Sequence, residues 1–149
     1  MSTENPIQFR LDHTMIRVRD LDKSLDFYTR ILGMEVLRNT DYPAGRFTNV
    51  FVGFGPENIT TTLELTHNWD QEEAYTQGRN FGHLAYAVED IYALCEKLQA
   101  AGVTIARPPR DGRMAFVRSP DGISIELLQD GAALPIKEPW ASAPNIGSW

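Results

Sequence analysis

Two stretches of this chain carry the same sparse pattern at matched spacing, and any fold it adopts has to accommodate that pattern twice. His13 lies seven positions before Asp20, and His83 lies seven before Asp90. Gly33 follows Asp20 by 13 positions and Gly102 follows Asp90 by 12. Each half closes on an aliphatic–Glu–Leu run, Leu63-Glu64-Leu65 in one and Ile125-Glu126-Leu127 in the other. Self-similarity at this scale is the mark of a duplicated supersecondary unit.

The local patterns say what the unit is. Residues 11–18 alternate as a strand does, which puts His13, Met15 and Arg17 on one face. Asp20 or Asp22 offers an N-cap, Leu21, Leu25, Tyr28 and Leu32 recur at helical spacing, and Gly33 suits the residue just past a helix. Strands are then expected over 34–37, 46–52 and 61–69, the last rich in β-formers and carrying Glu64. The second half reads as a strand over 82–88 beginning near His83, and a helix capped by Asp90 with Ile91, Leu94, Cys95 and Leu98 on its apolar side. Strands over 103–106, 114–117 and 123–128 follow, with Ser119-Pro120-Asp121-Gly122 as a turn before the last. The expected fold is α+β, two βαβββ modules spanning 11–69 and 81–130. Residues 1–10 read as a flexible arm. Residues 131–149, with Pro135, Pro139, Trp140, Pro144 and Trp149, read as a tail that is either mobile or docked through its tryptophans.

Length and charge exclude several classes. A chain of 149 residues suits one domain with a sizeable core. A net charge of -6 with no basic run argues against a nucleic-acid partner. No apolar run approaches the roughly 20 residues that span a bilayer, and residues 1–10 lack a signal-peptide core, so no membrane association is expected. Cys95 is the only cysteine, which precludes an intramolecular disulfide and points to a reducing, cytoplasmic setting. Its place on the apolar side of the second helix reads as core packing.

The repeated His and Glu carry chemistry. Glu64 and Glu126 sit between aliphatic residues, and a carboxylate buried there needs a cation, a proton or a partner. Two imidazoles and two carboxylates, His13, Glu64, His83 and Glu126, make a ligand set for one divalent metal with positions open for substrate. Such an ion would stabilise an enediolate formed by proton removal beside a carbonyl, and a site carboxylate could be the base. His67 lies an odd three residues beyond Glu64 and is expected on the opposite face, structural or exposed.

Longer motifs resemble the glyoxalase I family. They are His13-Thr14-Met15-Ile16-Arg17-Val18, Asp26-Phe27-Tyr28, Ile31-Leu32-Gly33-Met34, Glu64-Leu65-Thr66-His67-Asn68-Trp69, Phe81-Gly82-His83 and Ser119-Pro120-Asp121-Gly122 with Glu126. The resemblance runs over about residues 11–130 and implies the vicinal-oxygen-chelate fold. It implies isomerisation of the glutathione–methylglyoxal hemithioacetal to S-D-lactoylglutathione, with His13, Glu64, His83 and Glu126 as metal ligands. Glu126 matches the main proton-shuttling base, with Glu64 able to serve the opposite face of the substrate. Arg17 and Asn68 match residues that hold glutathione, Arg79 matches a carboxylate-binding position of eukaryotic members, and Arg107 stands where those have a lysine. The segment 110–114 is about two residues shorter than in those relatives. The chain lacks the longer insert of zinc-dependent members before the Glu64 strand, which implies Ni(II), with Co(II) or Zn(II) as alternatives. Members of this length are homodimers with the sites between subunits. Other members of the fold stand as alternatives: dioxygenases and thiol transferases with three-ligand sites, epimerases, and metal-free binding proteins. Glu64 with Arg17 and Asn68 discriminates against them.

Overall fold

The computed structural model describes residues 4–149. Among these residues, eight strands form two four-stranded sheets of identical connectivity. In the first, β1 (His13–Arg17), β2 (Glu35–Tyr42), β3 (Phe47–Gly53) and β4 (Thr62–Asn68) lie in the order β1-β4-β3-β2. In the second, β5 (Leu84–Val88), β6 (Ile105–Arg107), β7 (Met114–Arg118) and β8 (Ser124–Gln129) lie in the order β5-β8-β7-β6. The first strand of each module runs parallel to the last, and the remaining pairs are antiparallel. A parallel pair needs a crossover, and in each module the helix and the two intervening strands supply it.

The duplication extends to register. Met15 opposes Glu64 across β1 and β4, and Ala85 opposes Glu126 across β5 and β8. Each strand alternates its faces, so Val50, Val52, Leu63 and Leu65 turn inward from the first sheet while Ala115, Val117, Ile125 and Leu127 do so from the second. All eight join one core, together with residues of both helices.

Helix α1 (Leu21–Asp26) starts where Asp20 accepts a hydrogen bond from Lys23 N at 3.0 Å, and α2 (Ile91–Ala100) starts where Asp90 accepts one from Ala93 N at 3.0 Å. Gly33 and Gly102 end the two helical segments at φ of 85° and 84°, a conformation that glycine enters without steric cost. The first segment is not one continuous α-helix, as its periodicity suggests. It passes into a π-helical turn, Phe27–Ile31, in which Leu32 N donates to Phe27 O five residues back at 3.0 Å. A π turn takes up one residue more than an α turn. The first Asp-to-Gly interval is one position longer than the second, and the extra residue is absorbed here with Phe27, Tyr28 and Ile31 still buried.

Three other boundaries differ from the sequence reading. Strand β2 continues to Tyr42 rather than stopping near residue 37, because an edge strand with exposed faces carries no apolar alternation to mark it. Strand β6 is shifted to Ile105–Arg107, with a bulge against β7. His83 lies just before β5 rather than within it. The arm's residues 1–3 lie outside the described residues, and 4–12 are exposed without regular structure.

The tail is docked. Trp140 is 2 % exposed in the shared core, Pro135 O accepts a hydrogen bond from the Tyr92 hydroxyl at 2.8 Å, and Ile146 N donates to Ala106 O at 2.8 Å. The turn at Asp121 fastens the two modules. Its carboxylate accepts from Arg19 N at 2.9 Å and from the Ser24 hydroxyl at 3.3 Å, both in the first module. Among the described residues no helix is long and apolar enough to cross a membrane.

Candidate metal centre

Strand periodicity delivers the four candidate ligands as two pairs. In β1 the residues facing away from the core are His13, Met15 and Arg17, and Glu64 of β4 lies beside them because it opposes Met15. His13 Nε2 stands 3.2 Å from Glu64 Oε2. The second sheet repeats this: Glu126 opposes Ala85, and His83 Nε2 stands 3.7 Å from Glu126 Oε1. The carboxylate side chains are only 14 % and 16 % exposed, so each needs a positive or hydrogen-bonding neighbour.

The pairs fit a divalent ion chemically. Asp12 Oδ2 accepts from His13 Nδ1 at 2.6 Å, which fixes the ring and leaves Nε2, the nitrogen turned to Glu64, free to ligate. The imidazole also holds the Asp12 carboxyl below the usual carboxylate range. Each pair offers one imidazole nitrogen and one carboxylate oxygen, donors that suit a first-row divalent metal. Within one chain, however, the pairs remain separate. Among the described residues no three His, Cys, Asp or Glu side chains are grouped to hold a metal.

An aromatic residue supports each pair, and sequence reasoning missed both. Phe51 meets His13 edge-on at 5.4 Å between ring centroids, and Phe116 meets His83 at 5.3 Å. Phe51 opposes Glu64 across the ladder and Phe116 opposes Glu126. The signal was present in the repeat, as Val50-Phe51-Val52 and Ala115-Phe116-Val117 precede the two Glu strands. What lies over the face of each phenylalanine differs. Arg38 lies over Phe51 at 4.0 Å, whereas Trp149 stacks on Phe116 at 5.8 Å and 23°.

Beside the first pair, Arg17, Asn68, Met15, Phe47, Asn49 and Thr66 line a cavity with Glu64 of about 290 Å³. Arg38 and Arg46 are tied to Glu57 and Asp70, at 2.9 Å and 2.7 Å. The Arg17 side chain has no hydrogen bond or ion pair among the described residues, and its guanidinium is open to a ligand. His67 does lie on the opposite face, where Nδ1 is 3.3 Å from the Val18 carbonyl. Arg79 sits exposed on the segment between β4 and β5. Arg107 is only 18 % exposed and donates to Met114 O at 2.7 Å, with Asp111 at 3.6 Å, so its charge is engaged within its own loop. Cys95 is a free, buried thiol, pushed up to about 12 by desolvation.

Comparison with known proteins gives one consistent result. Residues 10–127 match the model of the Glyoxalase/Bleomycin resistance protein/Dioxygenase superfamily. A probable lactoylglutathione lyase of Synechocystis sp. is 52% identical over 122 residues, covering 78% of this chain and 92% of that protein. A lactoylglutathione lyase of Neisseria meningitidis is 51% identical over 125 residues, covering 80% and 90%. Among solved structures, the trypanothione-dependent glyoxalase I of Leishmania major superposes with a TM-score of 0.79 at 46% identity, covering 83% of this chain and 88% of that one.

Proposed function

The chain belongs to the Glyoxalase/Bleomycin resistance protein/Dioxygenase superfamily, and from that premise we infer that it is a lactoylglutathione lyase, isomerising the hemithioacetal of glutathione and methylglyoxal to S-D-lactoylglutathione. The observation that carries this reading is the duplicated His–Glu pair with Arg17 and Asn68 on the Glu64 side. Three-ligand members of the superfamily have no use for the second carboxylate.

The hemithioacetal bears a hydroxyl on the carbon bonded to sulfur and a carbonyl on the next carbon. The reaction moves a proton from the first carbon to the second, so the carbonyl ends beside sulfur as a thioester. Glu126 removes the proton and Glu64 can serve the opposite face of the substrate. Both carboxylates are largely shielded from water, which favours a general base over a solvated surface charge. Arg17 grips a glutathione carboxylate by paired N–H donors, and Asn68 adds an amide contact on the same face. Arg79, exposed on the segment between β4 and β5, is assigned as a second cation for the peptide part. For Arg107 we assign the shaping of its loop, since its Nη1 donates there to Met114 O and its Nη2 lies 3.6 Å from Asp111.

His13, Glu64, His83 and Glu126 would hold one divalent ion, which supplies Lewis-acid stabilisation of the oxygen that gains charge as the proton leaves. Because the two pairs stand apart in one chain, we propose a homodimer in which each site takes His13 and Glu64 from one copy and His83 and Glu126 from the other. We assign Ni(II), on the short connection between β3 and β4 and the mixed N/O donors, and the cytoplasm, on the lone free thiol.

Apo protein reconstituted separately with Ni(II), Co(II) and Zn(II) and given methylglyoxal with glutathione tests this. Thioester formation highest with Ni(II) is expected, and activity with Zn(II) alone would overturn the metal assignment. No thioester with any of the three, from glutathione or from trypanothione, would overturn the function.

A further inference from the structure

The two halves are matched in their strands, ligands and supporting phenylalanines, and they differ in what lies over those phenylalanines. Over Phe51 lies a guanidinium, Arg38, itself ion-paired to Glu57. Over Phe116 lies the indole of Trp149. This residue belongs to the tail, beyond the stretch matched to the family, and its position is built rather than incidental. Trp140 anchors the tail in the core. Arg110 donates to Ala143 O at 3.1 Å and to Asn145 Oδ1 at 2.8 Å. Ile146 N donates to Ala106 O of β6, and Arg118 Nε donates to Ser148 O at 2.9 Å. Arg118 Nη1 is held in turn by Gly122 O. Trp149 is thus delivered onto the ring that packs against His83.

We propose that Trp149 is a substrate-contacting specificity residue of the site to which its own His83 and Glu126 belong, and that its indole receives an apolar substituent carried at or next to the reacting carbons. The polar groups suited to the peptide part, Arg17 and Asn68, lie with the first pair, leaving the apolar part of the substrate to the second. Trp149 is 42 % exposed as a residue, so it is not sealed from a ligand. Flat aromatic surface stacks best on another aromatic group, so the preference runs to bulky, aromatic substituents over methyl.

This inference rests on the glutathione-thioester reading, and its test separates the two. S-benzylglutathione and S-methylglutathione, which cannot turn over, are titrated against the Ni(II)-loaded protein and its variants by calorimetry. Trp149→Ala is expected to weaken S-benzylglutathione roughly three- to tenfold and to leave S-methylglutathione within about twofold. Trp149→Phe should restore most of the difference. In turnover, Trp149→Ala should raise KM for the hemithioacetal of an aromatic 2-oxoaldehyde far more than for that of methylglyoxal, with kcat kept. Equal losses for the two thioethers, or no loss for either, in a variant that still turns over methylglyoxal hemithioacetal would overturn the inference alone. A wild-type protein that neither binds a thioether nor turns over would overturn both readings.

Discussion

Glu126 is held between strand neighbours that fix its backbone, faces His83 at 3.7 Å, and is largely shielded from water. Replacing it with glutamine keeps size and hydrogen bonding but removes the proton acceptor. Glu126→Gln should lower kcat by roughly a hundredfold or more, the scale of general-base catalysis. Binding of S-methylglutathione should change little, because the lost interaction is one made in the transition state. A variant that turns over normally would move the base to another group. Cys95 illustrates the opposite kind of residue. Burial pushes its thiol from an ordinary value of 9.0 up to about 12, and the thiolate is the reactive form. A thiol reagent at pH 8 should therefore modify Cys95 only as fast as the protein opens. The folded state binds this proton more tightly than the unfolded one. The associated stability is whole below pH 9 and lost between pH 9 and about 12, by up to about 1.4 kcal/mol per pH unit. Rapid labelling under native conditions would contradict this placement.

At the level of elements, the tail is the part whose status is settled by packing. Its tryptophans do different jobs: Trp140 fills the core and Trp149 lies on the open face. Trp140→Ala should cost about 3–5 kcal/mol, the usual range for a large buried aromatic. In a chain of this size that lowers Tm by roughly 10 °C. Trp149→Ala should leave thermal melting almost unchanged, and a Trp140→Ala protein that melts like wild type would mean the tail contributes no core. The π turn at Phe27–Ile31 makes a related point. Both helical segments run from a capping Asp to a positive-φ Gly, and the longer one satisfies both ends by taking up a residue in its second half.

Considered whole, the molecule presents two His–Glu pairs that are not gathered into one metal-binding group among the described residues. The intersubunit arrangement proposed above predicts complementation. A chain with His13→Ala and Glu64→Ala, and another with His83→Ala and Glu126→Ala, should each be inactive alone. After subunit exchange, each mixed dimer has one intact site and one lacking all four ligands. Random mixing makes half the dimers mixed, so activity should return to about a quarter of wild type. A mixture that stays silent although exchange is demonstrated by mass would rule out sites shared between copies.

Features of this fold differ in how legible they are in the amino-acid sequence. The repeat, the helix cap at Asp90, the face shared by His13 and Arg17, and the displacement of His67 to the other face follow from local pattern alone, whereas the choice of Asp20 over Asp22 as the first cap needed the structure. Strand and helix geometry act over a few residues, and the side-chain pattern reports them directly. The length of β2, the π turn, the engagement of Arg107 with its own loop, and the route of the tail to Phe116 are not written locally. An exposed edge strand needs no apolar face, and an arginine's partner is chosen by whichever carbonyls the folded loop brings near. The repeat named two His–Glu pairs. Only the tertiary structure decided that each pair closes within its own sheet, that one phenylalanine lies under arginine and its counterpart under tryptophan, and that the pairs stay apart in one chain. Those outcomes depend on how two sheets built from the same pattern pack around a common core.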